Sequence, residues 1–501
     1  MWTGRRLEWV TAGWAVLLGV AYLLAPIMGS DLSAQVARAE FFADHGYTPV
    51  DLHWYGGVNQ LGYSLVSQPV MATLGVRMTG ALALVATSVL LAVLLRRTDA
   101  PRPWLGALIG AACVAGNLVS GRVTYGLGVA IGLAALVLLT YRRCQMAAAG
   151  VALLAAATSP VAGLFVGLAG AALLLTGRWK QGLLLAVPAA IPVGLAALFF
   201  GDGGWMNISR ADTVRAVITS LIVAALVPRW PVRAGAGLSA AGVLIAALVH
   251  TPVGLNATRL VTMFALPLIA AFTKKTWLMA PLLIITAVVQ SPVVVRDLRD
   301  AGNPTADRAF FAPLREYLAG QELTGRVEVP PTRDYWESAY LDVPLARGWL
   351  RQADIDRNPL FFTVVPGAPG TGVPLDPDTY RQWLADTSVQ YVAVPDAEFS
   401  WPGRAEAALV AGGLPYLREV WSGENWRLYA VADPQPIVAA PATLVSQDAA
   451  SLTFDAPAGG EVLVRVHYYR WLSAGPGAAV EPSGEWTRIR VPSPGRYRLT
   501  S

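Results

Sequence analysis

The sequence carries little charge: only 14% of its 501 residues are Asp, Glu, Lys or Arg, against about 25% in an ordinary soluble domain. Hydrophobic residues make up 54% of the chain. A chain this long and this apolar is expected in a lipid bilayer. The scarcity of charge therefore excludes an ordinary soluble protein.

Cysteine is almost absent, with only Cys113 and Cys144, and neither lies in the last 200 residues or so. This excludes a disulfide framework for the C-terminal part. No run of Lys and Arg with interleaved aromatics occurs, so the formal net charge of +5 does not indicate a nucleic-acid partner. Walker A, zinc-ligand and GxSxG patterns are also missing.

The few acidic residues are unevenly distributed. Residues 1–295 contain eight of the 33 acids, and the other 25 follow residue 295. The distribution predicts a membrane-embedded part over residues 1–295 and a soluble domain over residues 296–501.

Apolar runs of about helix length fill the first part, and they predict a polytopic α-helical membrane protein with about eleven transmembrane helices. The fifth and sixth runs are short and meet at Ser159-Pro160, so they are either two spans or one broken helix pair. The runs are Trp9–Met28, Met78–Leu95, Trp104–Val119, Val123–Tyr141, Met146–Thr158, Val161–Thr176, Leu183–Phe200, Thr213–Val227, Ala234–His250, Leu260–Phe272 and Trp277–Val293.

Every second loop between these runs is basic. By the positive-inside rule, these loops are cytoplasmic, which places the N-terminus inside and the C-terminal domain outside the cytoplasm. The basic residues concerned are Arg5, Arg6, Arg96, Arg97, Arg102, Arg142, Arg143, Arg178, Lys180, Arg229, Arg233, Lys274 and Lys275.

A long outside loop, residues 29–77, follows the first run. Asp31 to Asp44 has the pattern of an amphipathic helix and is expected along the membrane surface. The apolar stretch from Tyr63 to Leu74 is too short to span, so it is either re-entrant or packed on the bundle.

The soluble part consists of two regions that differ in predicted secondary structure. Residues 296–435 predict a mixed α/β region, with strands at Gln390–Val394 and Trp426–Val431. Residues 436–501 are β-rich, and their short alternating runs between turns predict a small β-sandwich.

Asp31 directly follows the first helix on the outside face. A carboxylate at this depth can act as general base on a sugar hydroxyl. The simpler interpretation is that Asp31 caps the helix that begins at Leu32, where an N-cap Asp is favoured. The two roles are compatible.

The same loop holds further candidates for binding the sugar whose hydroxyl Asp31 would deprotonate, which we call the acceptor. Asp51 lies between a proline turn and an aromatic cluster, and a second carboxylate there can position an acceptor or a metal ion. Sugars stack on aromatic rings, although the interfacial aromatic belt also explains Trp and Tyr at this depth. The acceptor-binding candidates are Glu40, His53, Trp54, Tyr55 and Tyr63.

Four arginines lie at the outside ends of predicted helices, against the charge rule: Arg77, Arg122, Arg210 and Arg259. Guanidinium groups pair with phosphate oxygens bidentately, so a lipid phosphate would explain them. The alternative is snorkelling to headgroups or pairing with Asp202 and Asp212. Arg122 and Arg259 are the stronger phosphate candidates because no acid is near them in sequence.

The arrangement resembles the GT-C superfamily of membrane glycosyltransferases, whose signature is an acidic residue just after the first helix. Asp31 lacks the second acid that some members carry, and Asp51 is the candidate substitute. The matching motifs are Gly29-Ser-Asp31, Gly46-Tyr-Thr-Pro49, Trp54-Tyr-Gly-Gly57, Gly62-Tyr63, Ser120-Gly-Arg122 and Asn256-Ala-Thr-Arg259.

The resemblance implies a GT-C-like bundle and an inverting glycosyltransferase. The implied donor is a polyprenyl-phosphate sugar, and the implied acceptor is a cell-envelope glycan or glycolipid outside the plasma membrane. It implies Asp31 as base and the outer arginines as phosphate ligands. A divalent cation is neither required nor excluded. Two other functions stay open: a lipid or glycolipid transporter or flippase, and a non-catalytic envelope scaffold.

Overall fold

The structure is a computed structural model that describes residues 5–273 and 276–501. The predicted fold class is confirmed: a bundle of apolar helices is followed by a C-terminal region that contains β-sheets. Lys274 and Lys275, assigned above to the last inside loop, lie outside the described residues.

The first 300 residues form fourteen of the described α-helices and one short hairpin of two strands. In chain order these are α1 (Arg6–Leu24), α2 (Leu32–His45), β1 (Val50–Asp51), β2 (Val58–Asn59), α3 (Ser67–Leu74), α4 (Val76–Arg97), α5 (Pro103–Val119), α6 (Val123–Leu139), α7 (Gln145–Thr158), α8 (Pro160–Leu175), α9 (Trp179–Phe199), α10 (Arg210–Leu226), α11 (Trp230–Leu248), α12 (Arg259–Phe272), α13 (Thr276–Val289) and α14 (Val295–Arg299).

Each of the eleven predicted apolar runs is a helix in the structure, namely α1 and α4 to α13. Within the described ranges, five helices are long and apolar enough to cross a membrane unaided. The number that cross stays a prediction. The five are Arg6–Leu24, Val76–Arg97, Trp179–Phe199, Trp230–Leu248 and Gly254–Phe272.

The outside of the bundle exposes large apolar side chains. Leu24 and Leu248 are each 82% exposed, and Leu198 is 72% exposed. A soluble protein rarely leaves such broad apolar surface uncovered. Lipid is the expected solvent for this surface.

The two short runs at Ser159 form two separate helices, α7 and α8. Ser159 is extended between them, with φ −151° and ψ 114°. A Cβ atom on Gly163 would come 2.6 Å from the Cβ of Ala156, so the two helices fold back on each other. At 14 residues, α7 is about 21 Å long.

The basic loops meet at one end of the bundle. Arg96 pairs with Glu8 at 2.6 Å, and the Arg229 guanidinium donates to the carbonyl of Thr98 at 2.8 Å. The C-terminal region contacts the opposite end of the bundle, for example where the backbone N–H of Arg210 donates to the carbonyl of Gly367. Basic loop residues therefore lie at one end of the bundle and the C-terminal region lies at the other. We call the end with the C-terminal region the outer end.

Helix α2 lies between the outer end of the bundle and the C-terminal region. Its Gln35 accepts from the Thr124 hydroxyl on α6 at 2.7 Å, and its Ser33 hydroxyl donates to the carbonyl of Asp334 at 2.6 Å. Leu32 and Phe41 are buried in these contacts. The expectation that this helix lies along a membrane surface is corrected: its apolar residues face protein.

The stretch after Tyr63 packs on the bundle, which was the second of the two predicted alternatives. It forms α3, whose Ser67 hydroxyl lies 2.8 Å from the hydroxyl of Thr124 on α6. Ser67, Gln68 and Met71 are buried there.

The C-terminal region begins with a mixed α/β part. One four-stranded sheet has the order β3-β4-β6-β5, in which β3 is parallel to β4 and the other pairs are antiparallel. The elements are α15 (Ala312–Ala319), β3 (Arg326–Glu328), α16 (Glu337–Tyr340), α17 (Arg351–Arg357), α18 (Pro377–Asp386), β4 (Val389–Pro395), α19 (Arg404–Ala411), β5 (Leu417–Ser422) and β6 (Trp426–Val431).

The β-rich part consists of two three-stranded antiparallel sheets, β10-β11-β9 and β12-β8-β7. Alternate residues of their strands point into a shared core, including Phe454, Val464 and Ile489. The strands are β7 (Thr443–Gln447), β8 (Ser451–Ala456), β9 (Gly460–His467), β10 (Ala479–Ser483), β11 (Trp486–Val491) and β12 (Gly495–Thr500).

The first outside loop is built into this C-terminal region. Val50 and Leu52 are buried in the core of the two β-sheets. The backbone N–H of Leu52 donates to the carbonyl of Ala449 at 2.7 Å, and that of His467 donates to the carbonyl of Gly56 at 2.8 Å. The loop and the region after residue 295 therefore form one outer domain.

Candidate functional site

Two turns of the chain cross closely at the outer end of the bundle. One turn precedes α2 and the other joins α5 to α6. The backbone N–H of Asp31 donates to the carbonyl of Ser120 at 3.1 Å. Gly29 (φ 116°) and Gly121 (φ 73°) face this crossing, and a Cβ on either would come 2.6 Å from a backbone atom of the other turn. Only glycine permits so close an approach with positive φ.

Asp31 projects from this crossing and holds two arginines. The Nε of Arg122 donates to Asp31 Oδ2 at 3.2 Å, and Nη2 of Arg259 donates to the same oxygen at 3.1 Å. Among the described residues, Asp31 Oδ1 takes no hydrogen bond. The side chains of Asp31, Arg122 and Arg259 keep 15%, 20% and 17% of their surface exposed, so a ligand can reach all three.

Asp31 occupies the N-cap position of α2, as predicted, but its side chain makes no capping hydrogen bond. The carboxylate instead accepts hydrogen bonds from Arg122 and Arg259. The simpler interpretation, in which this side chain serves the helix, is therefore wrong, although the position is right.

Aromatic rings extend the cationic cluster along α2. The guanidinium of Arg259 lies 5.4 Å from the ring centre of Tyr125, and that of Arg38 lies 4.0 Å from the ring centre of Tyr63. The Tyr63 hydroxyl accepts from Gln35 at 2.7 Å. Tyr63, a predicted sugar-binding residue, therefore belongs to the polar network beside Arg259.

Asp297 is a second carboxyl at this site, which the sequence pattern did not predict. It lies on α14, only 3% exposed, beside the hydroxyls of Ser30 and Ser120 and within electrostatic range of Asp31 and Arg122. Burial raises its pKa, and the neighbouring hydroxyls and arginine partly offset that rise. One signal was available: Asp31 is the first acid after the first apolar run, and Asp297 is the first after the last run.

The other two predicted phosphate ligands lie elsewhere. The Arg77 guanidinium donates to the carbonyls of Tyr22 and Ala25 and so caps the C-terminal end of α1. Arg210 is exposed at the start of α10. Neither arginine contacts Asp31.

Asp51 is buried away from Asp31. Its carboxylate accepts from the backbone N–H of His53 at 2.8 Å and from the Gln60 amide at 2.7 Å. Burial raises its pKa, while His53, Arg38 and Gln60 act in the opposite direction. The geometry makes Asp51 part of the loop's internal network, and the structure does not bring it to Asp31 as a second acid.

The predicted sugar-binding rings Trp54 and Tyr55 are 0% and 4% exposed. The Trp54 indole donates to the carbonyl of Ser338 at 3.1 Å, and the Tyr55 hydroxyl donates to the carbonyl of Gly348. Neither ring has a free face for a sugar. Both residues instead anchor the first outside loop to the part of the outer domain that follows residue 295.

Glu40 and His53, the remaining predicted acceptor residues, line a cleft of about 310 Å³ between α2 and the outer domain. Asp44, Asp51 and Asp342 line it too, which makes it acidic. Glu40 is nine residues along α2 from Asp31, or about 14 Å at the helical rise. We call this the acidic cleft. It is separate from the arginine pair.

The outer domain covers the Asp31 turn. The indole N–H of Trp349 donates to the carbonyl of Ser30 at 3.1 Å. Over residues 5–273 and 276–501, no group of three or more His, Cys, Asp or Glu side chains is placed to hold a metal ion.

No family model matches this chain, and no curated protein matches it. The fold is similar to cryo-EM structures of the arabinofuranosyltransferase AftD from Mycobacteria, one with 16% identity and a TM-score of 0.44 over 93% of this chain and 42% of that one. An AftD mutant, R1389S class 1, gives 17% and 0.46 over 91% of this chain and 43% of that one. This chain thus spans less than half the length of the AftD chains it matches.

The fold is also similar to the crystal structure of the Archaeoglobus fulgidus oligosaccharyltransferase tethered with an acceptor peptide. The identity is 11% and the TM-score 0.44, over 87% of this chain and 76% of that chain.

Proposed function

We propose that this chain is a membrane glycosyltransferase that moves a sugar from a polyprenyl-phosphate donor to a cell-envelope glycan or glycolipid. One observation carries the proposal. Arg122, in the turn before α6, and Arg259, at the start of α12, converge on one oxygen of Asp31 at the outer end of an apolar bundle. The proposal takes the two guanidinium groups as an anion site beside a candidate base.

The arginine pair fits a phosphate carried by a lipid. Two guanidinium groups offer forked donors that match phosphate oxygens. They lie at the end of helices whose outer surface is apolar, where a lipid chain is soluble and its headgroup meets water. A ligand with a phosphate and a long hydrocarbon chain fits both environments, since its phosphate meets the guanidinium groups and its chain meets the apolar surface.

Asp31 serves as the general base. Asp31 Oδ1 accepts the proton of an acceptor hydroxyl. At the same time, the oxygen of that hydroxyl bonds to the anomeric carbon of the donor sugar. The bond from the anomeric carbon to the phosphate oxygen breaks, and the lipid phosphate leaves with its negative charge. Arg122 and Arg259 stabilise that charge. A single displacement of this kind inverts the anomeric centre.

The resting ion pairs explain how base and phosphate sites cooperate. At rest, Asp31 Oδ2 accepts hydrogen bonds from both arginines. A bound phosphate competes for both guanidinium groups. Asp31 is then released from the arginines when a donor is present and is free to bind the acceptor hydroxyl.

The acidic cleft is the proposed site for the remote part of the acceptor. Glu40 and His53 offer acceptors and donors for sugar hydroxyls, and the cleft lies along α2 from the reacting end. Since the basic loops are at the opposite end, the positive-inside rule places Asp31 and the outer domain outside the cytoplasm.

The test compares lipid-linked and envelope glycans in cells that lack the gene and carry either the wild-type chain or an empty vector. The proposal expects the empty-vector cells to accumulate a prenyl-phosphate sugar and to lack one glycan species. A flippase would instead change which leaflet holds the lipid, without a covalent product. Unchanged glycans in cells that lack the gene would refute the proposal that the chain is a glycosyltransferase.

A further inference from the structure

One loop of the outer domain carries no charge and exposes apolar side chains. Residues 358–375 contain no Asp, Glu, Lys or Arg, which is the longest such stretch after residue 295. Within it, Val364 is 78% exposed, whereas the next most exposed large apolar side chain after residue 300 is Val445 at 43%. The other exposed apolar residues of this stretch include Pro366, Pro369, Val373 and Pro374. We call residues 363–374 the apolar loop.

The apolar loop lies against the outer end of the bundle. The backbone N–H of Arg210, the first residue of α10, donates to the carbonyl of Gly367 at 3.1 Å. Gly367 has a φ of 71°, and a Cβ atom on it would come 2.9 Å from the Cβ of Ser209. The loop is therefore fixed at the level where α10 begins.

Helix α10 exposes an apolar stripe just below this contact. Val214, Ile218 and Leu221 follow one another at helical spacing and are 54%, 47% and 53% exposed. Val214 is four residues from Arg210, or about 6 Å along the helix axis. Arg215 beside it is exposed too, and its long side chain can reach lipid headgroups from this depth. The stripe thus meets lipid close to the level of the apolar loop.

The backbone of the apolar loop pairs its polar groups locally. The N–H of Thr371 donates to the carbonyl of Phe362 at 3.0 Å, and the N–H of Ala368 donates to that of Val365 at 3.2 Å. The Thr371 hydroxyl donates to the carbonyl of Pro359 at 2.7 Å. Three prolines of the loop carry no N–H at all. Few backbone donors are therefore left that need water.

We propose that the apolar loop is a membrane-contact site: it rests in the interfacial region of the bilayer at the outer end, with Val364 against lipid, and holds the outer domain on the membrane. The partner is the lipid surface. Because the loop is hydrogen-bonded to the start of a helix whose exposed side is apolar, lipid that covers the helix also reaches the loop. The inference does not depend on the proposed function.

The depth of this contact is limited by the irregular backbone. Non-helical chain is not exposed to the hydrocarbon core of a bilayer, where its remaining polar groups would find no partner. The boundary between headgroups and acyl chains accepts apolar side chains to a depth of about 5–10 Å. The loop therefore reaches this boundary and does not cross the membrane.

The test places a nitroxide spin label on the loop of the full chain in nanodiscs of phosphatidylcholine. The label is attached to Val364→Cys in a chain with Cys144→Ser, since Cys113 is buried and Cys144 is not. Electron paramagnetic resonance compares collisions of the label with oxygen, which concentrates in the bilayer, and with a water-soluble nickel chelate. The label at residue 364 is expected to favour oxygen.

Arg418→Cys, labelled in the same way, is the control, because Arg418 and Glu419 are exposed charged residues on the edge strand β5. The ratio of oxygen to chelate collisions should be several-fold higher at residue 364 than at residue 418. Equal ratios would place the loop in water and overturn the inference. Low collision rates with both reagents at residue 364 would mean that protein covers the loop, and would overturn it too. The Cys144→Ser chain alone measures background labelling, and thermal unfolding verifies that each variant is folded.

Discussion

Trp349 of the outer domain donates its indole N–H to the carbonyl of Ser30, 3.1 Å away and one residue before Asp31. The two residues are 319 positions apart in sequence. This bond ties the outer domain to the turn that carries Asp31. The geometry of the proposed base therefore depends on a domain outside the bundle.

Trp349→Phe removes this hydrogen bond and keeps most of the ring. We expect a loss of transfer activity of about threefold to tenfold, the scale of one neutral hydrogen bond, with little change in expression. Glycan analysis of complemented cells measures the loss. Trp421→Phe, a ring stacked on Tyr317 in the same domain, is the control. Equal activity in both variants would mean that the outer domain does not orient the Asp31 turn.

The arginine pair predicts a graded loss of phosphate affinity. Arg122→Gln and Arg259→Gln each remove a charge and a donor. Each is expected to weaken the binding of farnesyl phosphate, measured by calorimetry on the full chain in lipid nanodiscs, by roughly ten- to a hundredfold. Lysine keeps the charge but not the fork, so Arg259→Lys should fall between Gln and wild type.

Arg210→Gln is the matched control for these variants, since Arg210 is another outer-end arginine that lies exposed away from Asp31. Its farnesyl phosphate affinity should match wild type. A loss as large as that of Arg259→Gln would indicate general attraction of anions and not a defined phosphate site.

A buried charge cluster in the outer domain predicts an asymmetry in stability. The Arg347 guanidinium makes two hydrogen bonds to Asp354, at 3.0 and 2.9 Å, and one to Glu406 at 2.9 Å. Glu328 lies 3.6 Å away, and burial raises its pKa well above the usual range. The carboxyls of Asp354, Glu406 and Glu328 therefore share one guanidinium group, that of Arg347.

Arg347→Met leaves those carboxyls buried without a cation and is expected to destabilise the chain by about 3–5 kcal/mol. Burial favours the neutral form of Glu328, and Glu328→Gln keeps a neutral polar side chain of similar shape, so its cost should stay below about 1 kcal/mol. Thermal unfolding of the two variants at pH 7 measures the difference. Equal costs would contradict the expectation that burial favours the neutral form of Glu328.

Glu337 predicts how stability depends on pH. Burial raises its pKa to about 8, against 4.5 for an exposed glutamate. Between these values the folded chain holds a proton that the unfolded chain has released, so stability falls as pH rises, by about 1.4 kcal/mol per unit. The contribution is complete below pH 4.5 and lost at about pH 8.

Glu337→Gln should reduce this slope, since its amide does not titrate. The measurement is the unfolding temperature of wild type and variant from pH 5 to pH 8. Burial also raises the pKa of Glu406 to about 7, so part of the slope should remain in the variant. Parallel curves would show that Glu337 is ionised in the folded chain.

Hydropathy alone predicted the helices of the bundle, because burial in lipid demands long apolar runs. The strand Trp426–Val431 was also predicted with the bounds that it has in the structure. Its side chains alternate between the two faces of the sheet, so the local pattern is informative.

The site was only partly predictable, for a physical reason. The sequence placed Asp31, Arg122 and Arg259 at the same end of the bundle, but Arg259 is 228 residues from Asp31, and only the folded packing brings them into contact. Trp54 resembled an exposed loop aromatic because nothing local reveals that the outer domain covers it. Asp297 was missed because its neighbours come from two distant turns.

The most direct test of the account is Asp31→Asn in the full chain, with farnesyl phosphate binding and glycan synthesis measured in parallel. The account predicts that the variant folds and binds the phosphate at least as tightly as wild type, because the arginines lose their competing carboxylate, while sugar transfer disappears. Transfer at the wild-type rate by a folded Asp31→Asn chain would contradict the assignment of Asp31 as the base.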